Sequence, residues 1–287
     1  MSGYTTFAIA GLGHIGPYIA AEFLKAKANG TVKEVIILTR ADSSNPEVEK
    51  FATQGAKVIS VDYNDQASLT KALAGVDVLV STIAGPALPI QVPLAEAAKA
   101  AGVQLFVPSE FGNPTEGIKE GIFTHKSNMH AKLREIGIPY TLVFNGPFSD
   151  YVFIEPVGLD VKSGKVRIGG DGNVPISFTA RPDIARYLVY ALTKFSPGDL
   201  KNKVLRIEGD RKTFNELFKQ YEAKTGKKLN VEFTPVSELE AAVKANMFDM
   251  NAVLHLGWAQ GGGNVGSSTD NAKYPGWNPK PVVECLL

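Results

Sequence analysis

The chain has 287 residues, of which 44% are hydrophobic, so it can bury the core of one large domain or of a domain with a smaller partner. Its 30 basic and 29 acidic side chains leave a formal net charge of +1, and no lysine- and arginine-rich run is present, which argues against a nucleic-acid partner. The single cysteine, Cys285, excludes an intramolecular disulfide and a cysteine-rich metal site and fits a reducing compartment. The N-terminal residues do not resemble a signal peptide, and no apolar run approaches the roughly 20 residues of a membrane helix. We therefore expect a cytoplasmic protein with no membrane partner.

The first half of the chain alternates strand-like and helix-like segments joined by short polar connections. This alternation predicts a parallel sheet with helices on both faces. Most of the predicted strands are short, β-branched and apolar at consecutive positions, as expected for strands buried on both faces. The strands are predicted at residues 7–10, 35–38, 57–61, 76–81, 105–107 and 140–144. The helices are predicted at residues 15–28, 47–54, 66–73, 89–101 and 119–136.

The character of the sequence changes after Tyr151. Residues 166–176 are typical of a hairpin because they contain a Gly/Asp/Asn turn, and an apolar helix is predicted directly after them, at 181–194. Thr213 is the predicted N-cap of a later helix. The other elements predicted in this half are strands at 204–207 and 231–233 and helices at 237–246 and 250–256.

A glycine-rich turn follows the first predicted strand, with the sequence Ala10-Gly11-Leu12-Gly13-His14-Ile15-Gly16. Gly11 permits the tight turn, Gly13 lets backbone N–H groups approach a pyrophosphate, and Gly16 lets the next helix pack closely on the sheet. The N-terminus of that helix then faces the anion. Because the motif lies between a predicted strand and a predicted helix, it predicts a dinucleotide site in which His14 and Ile15 also take part.

Arg40 ends the second predicted strand, at the position beside the adenosine ribose where an NAD-binding protein usually carries an acid. Its guanidinium could clamp a 2′-phosphate and stack on adenine, which predicts NADP(H) as the cofactor. The alternative is an arginine that merely ends a solvent-exposed strand. Asp62, at the end of the third predicted strand, could contact the adenine or cap a turn. Candidate helpers of Arg40 are Thr39, Ser43, Ser44 and Lys50.

Several further motifs carry a family resemblance. They are Pro108-Ser109-Glu110-Phe111-Gly112, Phe123-Thr124-His125-Lys126, Gly137-Ile138-Pro139-Tyr140-Thr141, Gly169-Gly170-Asp171-Gly172-Asn173, Asp183-Ile184-Ala185 and Tyr274-Pro275-Gly276-Trp277. Together with the glycine turn and Arg40, this set resembles the isoflavone reductase and phenylcoumaran benzylic ether reductase group, the NmrA-like atypical branch of the short-chain dehydrogenases/reductases. The resemblance covers most of the chain but does not specify the substrate. One departure is that the plant enzymes usually have Gly-x-x-Gly-x-x-Gly, where this chain has Ala10 followed by Gly11-x-Gly13.

The resemblance implies that Lys126 is the catalytic acid/base and also touches the nicotinamide ribose. An ammonium beside the nicotinamide could protonate a developing oxyanion, and desolvation in a closed cleft would lower the pKa of such a lysine. The alternative is a lysine that solvates a helix face. Phe148 could likewise be a core residue instead of a site residue. The resemblance places these further residues around the cofactor: Thr82, Ile83, Ala84, Ser109, Glu110, Phe111, Asn145 and Phe148.

A competing motif lies further along the chain. Tyr190 and Lys194 match the Tyr-x-x-x-Lys of the larger tyrosine-based branch of the superfamily, with Ser177 upstream. The helical apolar period of residues 184–192 favours a core-facing helix instead. The four histidines form no metal-binding pattern. Among them, His130 lies one turn from Lys126 and could tune that lysine or relay a proton, although a surface histidine is the favoured interpretation.

Taken together, the patterns predict an α/β protein with a Rossmann-type doubly wound parallel sheet and a smaller α+β substrate-binding portion. Residues 1–150, completed by parts of 175–210, would form the NADP-binding domain, and residues 151–287 would form most of the substrate-binding domain. The predicted activity is NADPH-dependent reduction of a small aromatic, phenylpropanoid-like or conjugated carbonyl substrate. Two alternatives stay open, a regulator that binds NAD(P) without turnover and a non-redox isomerase on the same fold. A homodimer is compatible with the sequence.

Overall fold

The computed structural model describes residues 2–287. Its strands are β1 (Thr6–Ala10), β2 (Glu34–Arg40), β3 (Lys57–Val61), β4 (Val78–Ser81), β5 (Leu105–Val107), β6 (Thr141–Phe144), β7 (Lys165–Gly169), β8 (Ile176–Phe178), β9 (Lys203–Arg206), β10 (Asp210–Lys212) and β11 (Asn230–Thr234). Its α-helices are α1 (Gly16–Ala28), α2 (Glu47–Thr53), α3 (Gln66–Ala72), α4 (Gln91–Ala100), α5 (Thr124–Ile136), α6 (Arg181–Lys194), α7 (Pro197–Leu200), α8 (Phe214–Thr225), α9 (Val236–Ala245), α10 (Met250–Ala259) and α11 (Val282–Cys285). Short 3₁₀ helices span Gly85–Ile90, Glu155–Val157 and Asn271–Lys273.

A five-stranded parallel sheet in the order β3-β2-β1-β4-β5 organises the first half of the chain. All residues of the central strand β1 are buried, and alternate residues of a strand face opposite sides of the sheet. On one side, the ring of Phe7 stacks on that of Phe23 in α1, with centroids 4.4 Å apart. On the other side, Ala8 and Ala10 join a buried cluster that includes residues of α3, α4 and α5. The predicted Rossmann-type doubly wound sheet is therefore confirmed.

The chain divides into two units. Unit 1 comprises residues 2–110, 125–143 and 185–205 and contains the five-stranded sheet, whereas unit 2 comprises residues 111–124, 144–184 and 206–287. The core of unit 2 is aromatic: the ring of Phe214 meets those of Phe178 and Trp258 edge to face. Within residues 2–287, no helix combines the length and the apolar character that crossing a membrane would require.

Strand pairing in unit 2 differs from the sequence-based prediction. The hairpin predicted at residues 166–176 is wrong, because β7 pairs in parallel with β11 while β8 pairs antiparallel with β10. Turn residues indicate that the chain reverses locally, but they do not indicate which strands pair, and β7 and β8 each pair with a strand much later in the sequence. The predicted N-cap Thr213 is confirmed, since its hydroxyl accepts a hydrogen bond from the Glu216 N–H and the Glu216 carboxylate accepts one from the Thr213 N–H.

Two helices of unit 1 also begin later than predicted. The helix predicted at 119–136 begins only at Thr124, and the one predicted at 89–101 begins at Gln91, after a 3₁₀ helix. Prolines at positions 86 and 89 lie in that 3₁₀ helix, where each lacks the N–H that an α-helical turn would use.

The turn between β1 and α1 depends on close contacts. Gly11 has a φ of +102°, a conformation that favours glycine. A Cβ added to Gly16 would lie 2.3 Å from the carbonyl oxygen of Gly11 and 2.8 Å from the Thr82 hydroxyl oxygen. That hydroxyl donates to the carbonyl oxygens of Gly11 and Ala10, at 2.6 and 3.2 Å. A Cβ added to Gly13 would meet nothing within 4 Å. Gly16 is thus required by packing inside the protein, whereas Gly13 is not.

Substitution of Gly16 by alanine should therefore destabilise the fold. We expect Gly16→Ala to lower the free energy of unfolding by about 1–3 kcal/mol, because the added methyl group overlaps backbone that cannot move freely. Gly13→Ala is the matched control and should change the free energy by no more than about 0.5 kcal/mol. Denaturant unfolding of both variants measures the difference, and equal stabilities would contradict the close contact.

Candidate active site

A cavity of about 710 Å³ opens at the carboxyl ends of the central strands of unit 1. Ile15 and Gly16, the last two residues of the glycine-rich turn, lie at the start of α1 and are not among the lining residues. Ser43 and Ser44, predicted as helpers of Arg40, do line it. The other predicted residues in its lining are Gly11, Gly13, His14, Thr39, Arg40, Thr82, Ile83 and Ala84.

The glycine turn presents the start of α1 without a capping side chain. Ile15 is the N-cap residue, and its side chain makes no capping hydrogen bond. Pro17 has no N–H and the Tyr18 N–H donates to the Ile15 carbonyl oxygen at 3.1 Å, so this end offers an anion chiefly the partial positive charge of the helix dipole. Since the Cβ position of Gly13 is open, the backbone there can be approached closely. This end of the cavity therefore favours an anion.

Arg40 provides a second cationic feature of the cavity. Its side chain is 68% exposed, and its Nε lies 3.6 Å from the carboxylate of Asp42, which is also exposed. Because water screens such a pair, the pair contributes little to stability and leaves the guanidinium able to bind a phosphate. Lys50 is not among the lining residues, and its ammonium pairs with the Glu47 carboxylate at 2.8 Å on α2.

Asn45 is a lining residue that sequence reasoning missed. Its amide nitrogen donates to the carbonyl oxygen of Leu12 at 3.0 Å, and its amide oxygen accepts from the Glu47 N–H at 3.0 Å. Asn45 thus ties the loop before α2 to the glycine turn. One sequence signal pointed to this position: Asn45 is followed by Pro46 just before a predicted helix, and an Asn-Pro pair favours the start of a turn.

Tyr63 lines the cavity where Asp62 was considered as a contact for adenine. The hydroxyl of Tyr63 donates to the carbonyl oxygen of Leu38 at 3.4 Å, and burial raises the pKa of Tyr63 to about 12. Asp62 does not line the cavity, and its carboxylate accepts from the Asn64 N–H at 2.8 Å. Of the two roles considered for Asp62, the structure shows the turn cap.

Lys126, Glu110 and His130 lie together in unit 1. The Lys126 ammonium, on α5, donates to the backbone carbonyl oxygen of Glu110, three residues beyond the end of β5. The Glu110 carboxylate lies 2.7 Å from Nε2 of His130. Burial lowers the pKa of Lys126, and the nearby Glu110 charge opposes that shift but is the smaller effect. His130 is buried, so the surface position favoured for it was wrong.

The backbone of Ser109 is anchored from α4. Its N–H donates to the side-chain oxygen of Gln91 at 2.8 Å, and both residues are buried. Gln91, the first residue of α4, gave no sequence signal of this role. The contact fixes the chain between β5 and Glu110.

Three predicted site residues lie in unit 2. Phe111 is buried and has a φ of +32°, which is unusual for a residue with a side chain, and Phe148 is half-buried and forms a parallel bridge with Thr179. Asn145 is fully buried, and its amide nitrogen donates to the Gly146 carbonyl oxygen at 2.7 Å. The amide oxygen of Asn145 has no hydrogen-bond partner within residues 2–287. It is therefore an acceptor that a ligand could satisfy.

The residues of the competing motif have structural contacts. The Ser177 hydroxyl donates to the Glu208 carboxylate at 2.7 Å and accepts from the Val265 N–H at 3.2 Å. The ring of Tyr190 meets that of Phe195 edge to face, at 6.0 Å. In the part of the chain that the structure describes, no three His, Cys, Asp or Glu side chains lie close enough to hold a metal ion.

A second cavity, of about 480 Å³, lies within unit 2. It is formed by residues 113–123, by α9 with the turn that follows it, and by α10 and the turn after it. Most of the lining is apolar, and the polar lining residues are Asn113, Glu120 and Lys244. The apolar and glycine lining residues are Pro114, Ile118, Gly121, Ile122, Phe123, Val243, Met247, Val253, Leu254, Gly257 and Gly262.

Comparisons with known proteins agree with this architecture. The model of the NmrA-like family matches residues 5–260. Phenylcoumaran benzylic ether reductase POP1 of Populus trichocarpa is 33% identical over 264 residues, which cover 87% of this chain and 84% of that protein. Eugenol synthase 2 of Clarkia breweri is 33% identical over 258 residues, which cover 84% and 82%. A binary complex of leucoanthocyanidin reductase with NADPH from Vitis vinifera matches with a TM-score of 0.82 and 25% identity over 98% of both chains. The resemblance seen in the sequence is confirmed, and the chain belongs to the NmrA-like family.

Proposed function

We propose that the protein is an NADPH-dependent reductase acting on small aromatic, phenylpropanoid-like or conjugated carbonyl compounds. One observation carries the proposal: a single cavity is lined both by the glycine turn after β1 and by Arg40 at the end of β2. The names of the relatives support it, since they include a phenylcoumaran benzylic ether reductase, a eugenol synthase and a leucoanthocyanidin reductase in complex with NADPH.

The residues present fit a dinucleotide with a 2′-phosphate. The open space at Gly13 and the uncapped start of α1 suit the pyrophosphate. Arg40 would hold the 2′-phosphate with its planar guanidinium, and the hydroxyls of Ser43 and Ser44 would donate hydrogen bonds to it. When bound, NADPH would supply the hydride for the reduction. The side chain of Thr82 keeps the turn in shape for this ligand.

In this proposal, Lys126 donates the proton that the reduction requires. One N–H of its ammonium is held by the Glu110 carbonyl, which fixes the position of the nitrogen and leaves its other protons for a substrate. Because burial lowers its pKa, Lys126 gives up a proton more readily than an exposed lysine does. Asn145, with its unpartnered buried amide oxygen, is proposed as a further ligand contact. The other proposed contacts are Ile83, Ala84, Ser109, Glu110, Phe111 and Phe148.

The cavity of unit 2 is proposed to bind the apolar body of the substrate. Its volume falls in the range of small-ligand pockets, about 300–1,000 Å³, and its lining is mostly apolar with a few polar groups, as such pockets usually are. An aromatic compound matches that lining better than a sugar or a phosphate does. Unit 1 would then bind the nucleotide, and unit 2 would select the substrate.

Replacement of Arg40 should separate the two nicotinamide cofactors. We expect Arg40→Glu to weaken NADPH binding at least about 30-fold, equivalent to about 2 kcal/mol, because a carboxylate would repel the 2′-phosphate. Fluorescence titration of NADPH and NADH with both proteins measures the effect. Lys25→Glu makes the same charge change on an exposed part of α1 and should leave both affinities unchanged. Failure of the wild-type protein to bind either nucleotide would contradict the proposed function.

Replacement of Lys126 should abolish turnover without abolishing cofactor binding. We expect Lys126→Ala to lower kcat by about 10²–10⁴-fold, the usual contribution of a general acid, while the NADPH affinity stays within about threefold. In the wild type, kcat should fall as the pH rises through the lowered pKa of Lys126, which lies below 10.5, because deprotonation removes the acid. The fall in kcat at high pH should be absent in Lys126→Arg, since a guanidinium does not lose its proton in this pH range. Stoichiometric NADPH oxidation during product formation is the assay.

The control for this experiment is Lys132→Ala, on the same helix. Lys132 is exposed and paired with Glu135, so its removal should leave turnover unchanged. Unchanged turnover in Lys126→Ala would overturn the assignment of the acid.

Filling the cavity of unit 2 should impair substrate binding alone. Gly257 lines that cavity on α10, and a Cβ there would meet nothing within 4 Å, so the chain can accept a larger side chain. We expect Gly257→Leu to raise KM at least about tenfold for whichever phenylpropanoid or enone of a test panel supports NADPH oxidation, with NADPH affinity unchanged. Gly257→Ala is the matched control and should change KM by no more than about threefold. An unchanged KM in Gly257→Leu would place the substrate elsewhere.

A further inference from the structure

Glu110 connects two side chains of α5. Its backbone carbonyl oxygen accepts from the Lys126 ammonium, and its carboxylate lies 2.7 Å from Nε2 of His130. Lys126 and His130 are four residues apart on the helix, so they lie on the same face, one turn from each other. One residue thus holds the lysine through its main chain and the histidine through its side chain.

The contact between Glu110 and His130 is buried. Glu110 is 1% exposed and His130 is 5% exposed. A buried carboxyl group that loses a hydrogen-bond partner pays a large desolvation cost, so the two side chains are strongly held together. The distance of 2.7 Å between the carboxyl oxygen and the imidazole nitrogen is that of a hydrogen bond. The side chain of Glu110 therefore cannot turn away without breaking this bond.

The backbone around Glu110 depends on such contacts. The Glu110 N–H donates to the carbonyl oxygen of Pro108 at 2.8 Å, and the following residue, Phe111, has a φ of +32°. A residue with a side chain persists in this region of backbone space only when its surroundings hold it there. The direction of the Glu110 carbonyl is consequently set by the contacts around it, and the bond between its carboxylate and His130 is one of them.

We propose that His130 is a positioning residue for Lys126: by holding the Glu110 carboxylate, it fixes the Glu110 carbonyl that in turn fixes the Lys126 ammonium. This inference rests on the proposed role of Lys126 as the acid. His130 itself transfers no proton to the substrate. The charged or titratable group that faces both Lys126 and His130 is Glu110.

The proton affinity of Lys126 reports its position directly and needs neither cofactor nor substrate. In the cofactor-free protein, the pH dependence of trace acetylation by acetic anhydride, read by mass spectrometry of the Lys126 peptide, gives its pKa. Exposed Lys132 on the same helix is the internal reference in every sample. Burial holds the pKa of Lys126 below 10.5, so release of the ammonium into solvent would shift the acetylation curve of Lys126 to higher pH.

We expect His130→Leu to raise the pKa of Lys126 by at least about half a pH unit, because the ammonium is no longer fixed in its desolvated position and moves into solvent. His130→Gln should restore the wild-type curve, since its amide nitrogen can donate from nearly the same place as Nε2. Glu110→Gln should instead shift the acetylation curve of Lys126 to lower pH, because it keeps the backbone carbonyl but removes the negative charge that raises the pKa of Lys126. If His130→Leu does not fold, His130→Asn, whose amide is too short to reach, replaces it.

His255→Gln is the matched control for the loss of a buried histidine. His255, in unit 2, accepts from the Gly169 N–H at 3.2 Å and donates to the Val157 carbonyl oxygen at 2.8 Å. Its replacement should reduce thermal stability and leave the Lys126 curve in place. A Lys126 curve that is unchanged in His130→Leu, or shifted equally in His255→Gln, would overturn the proposal.

The kinetic result completes the test. With a substrate that supports NADPH oxidation, His130→Leu should lower kcat about tenfold or more, because a displaced acid is misaligned, while KM stays within about twofold. His130→Gln should recover most of kcat. A shifted Lys126 curve in a protein that oxidises no NADPH would uphold the positioning role and refute the reductase, so the two proposals fail separately.

Discussion

The close approach of α1 to the end of β1 is the constraint on which the rest of unit 1 depends. Gly16 leaves no room for a Cβ beside the Gly11 carbonyl, and the Thr82 hydroxyl bridges the carbonyl oxygens of Ala10 and Gly11. Thr82 follows β4, so this one side chain ties two neighbouring strands to the glycine turn. The floor of the cavity is therefore built from hydrogen-bonded backbone, which holds its shape before any ligand binds.

The order of the strands then arranges the chemistry along one edge of the sheet. In the order β3-β2-β1-β4-β5, the carboxyl ends bring Tyr63, Arg40, the glycine turn, Thr82 and Glu110 into sequence across the edge. The groups that we propose bind the phosphates follow the centre and one side, and the residue that holds the Lys126 ammonium follows the strand at the other side. Since ligands of such sheets bind beyond the carboxyl ends of the strands, a ligand that spans the edge can contact both.

Local patterns predicted most of unit 1, because buried parallel strands and a glycine turn carry their signal within a few residues. The strands at 57–61 and 105–107 lie where the sequence placed them, and the glycine turn lines the cavity. Contacts between distant segments were not readable. The partner of β7 is β11, far along the chain, and the buried His130 contacts Glu110, which lies 20 residues earlier in the loop after β5. Tyr63 was passed over for Asp62 because alternation along a strand end does not reveal which side chain faces a cavity.

The two cations to which we assign different tasks, Arg40 and Lys126, lie in different surroundings. Arg40 is largely exposed, so its planar guanidinium is accessible and can bind a phosphate through two hydrogen bonds. Lys126 is held against a buried carboxylate residue, and burial lowers its pKa, so it can exchange a proton where Arg40 cannot. An arginine at position 126 would not release a proton. A lysine at position 40 would lack the planar geometry with which a guanidinium forms two hydrogen bonds to a phosphate. In the proposed function, the difference in surroundings of the two cations would separate phosphate binding at Arg40 from proton transfer at Lys126.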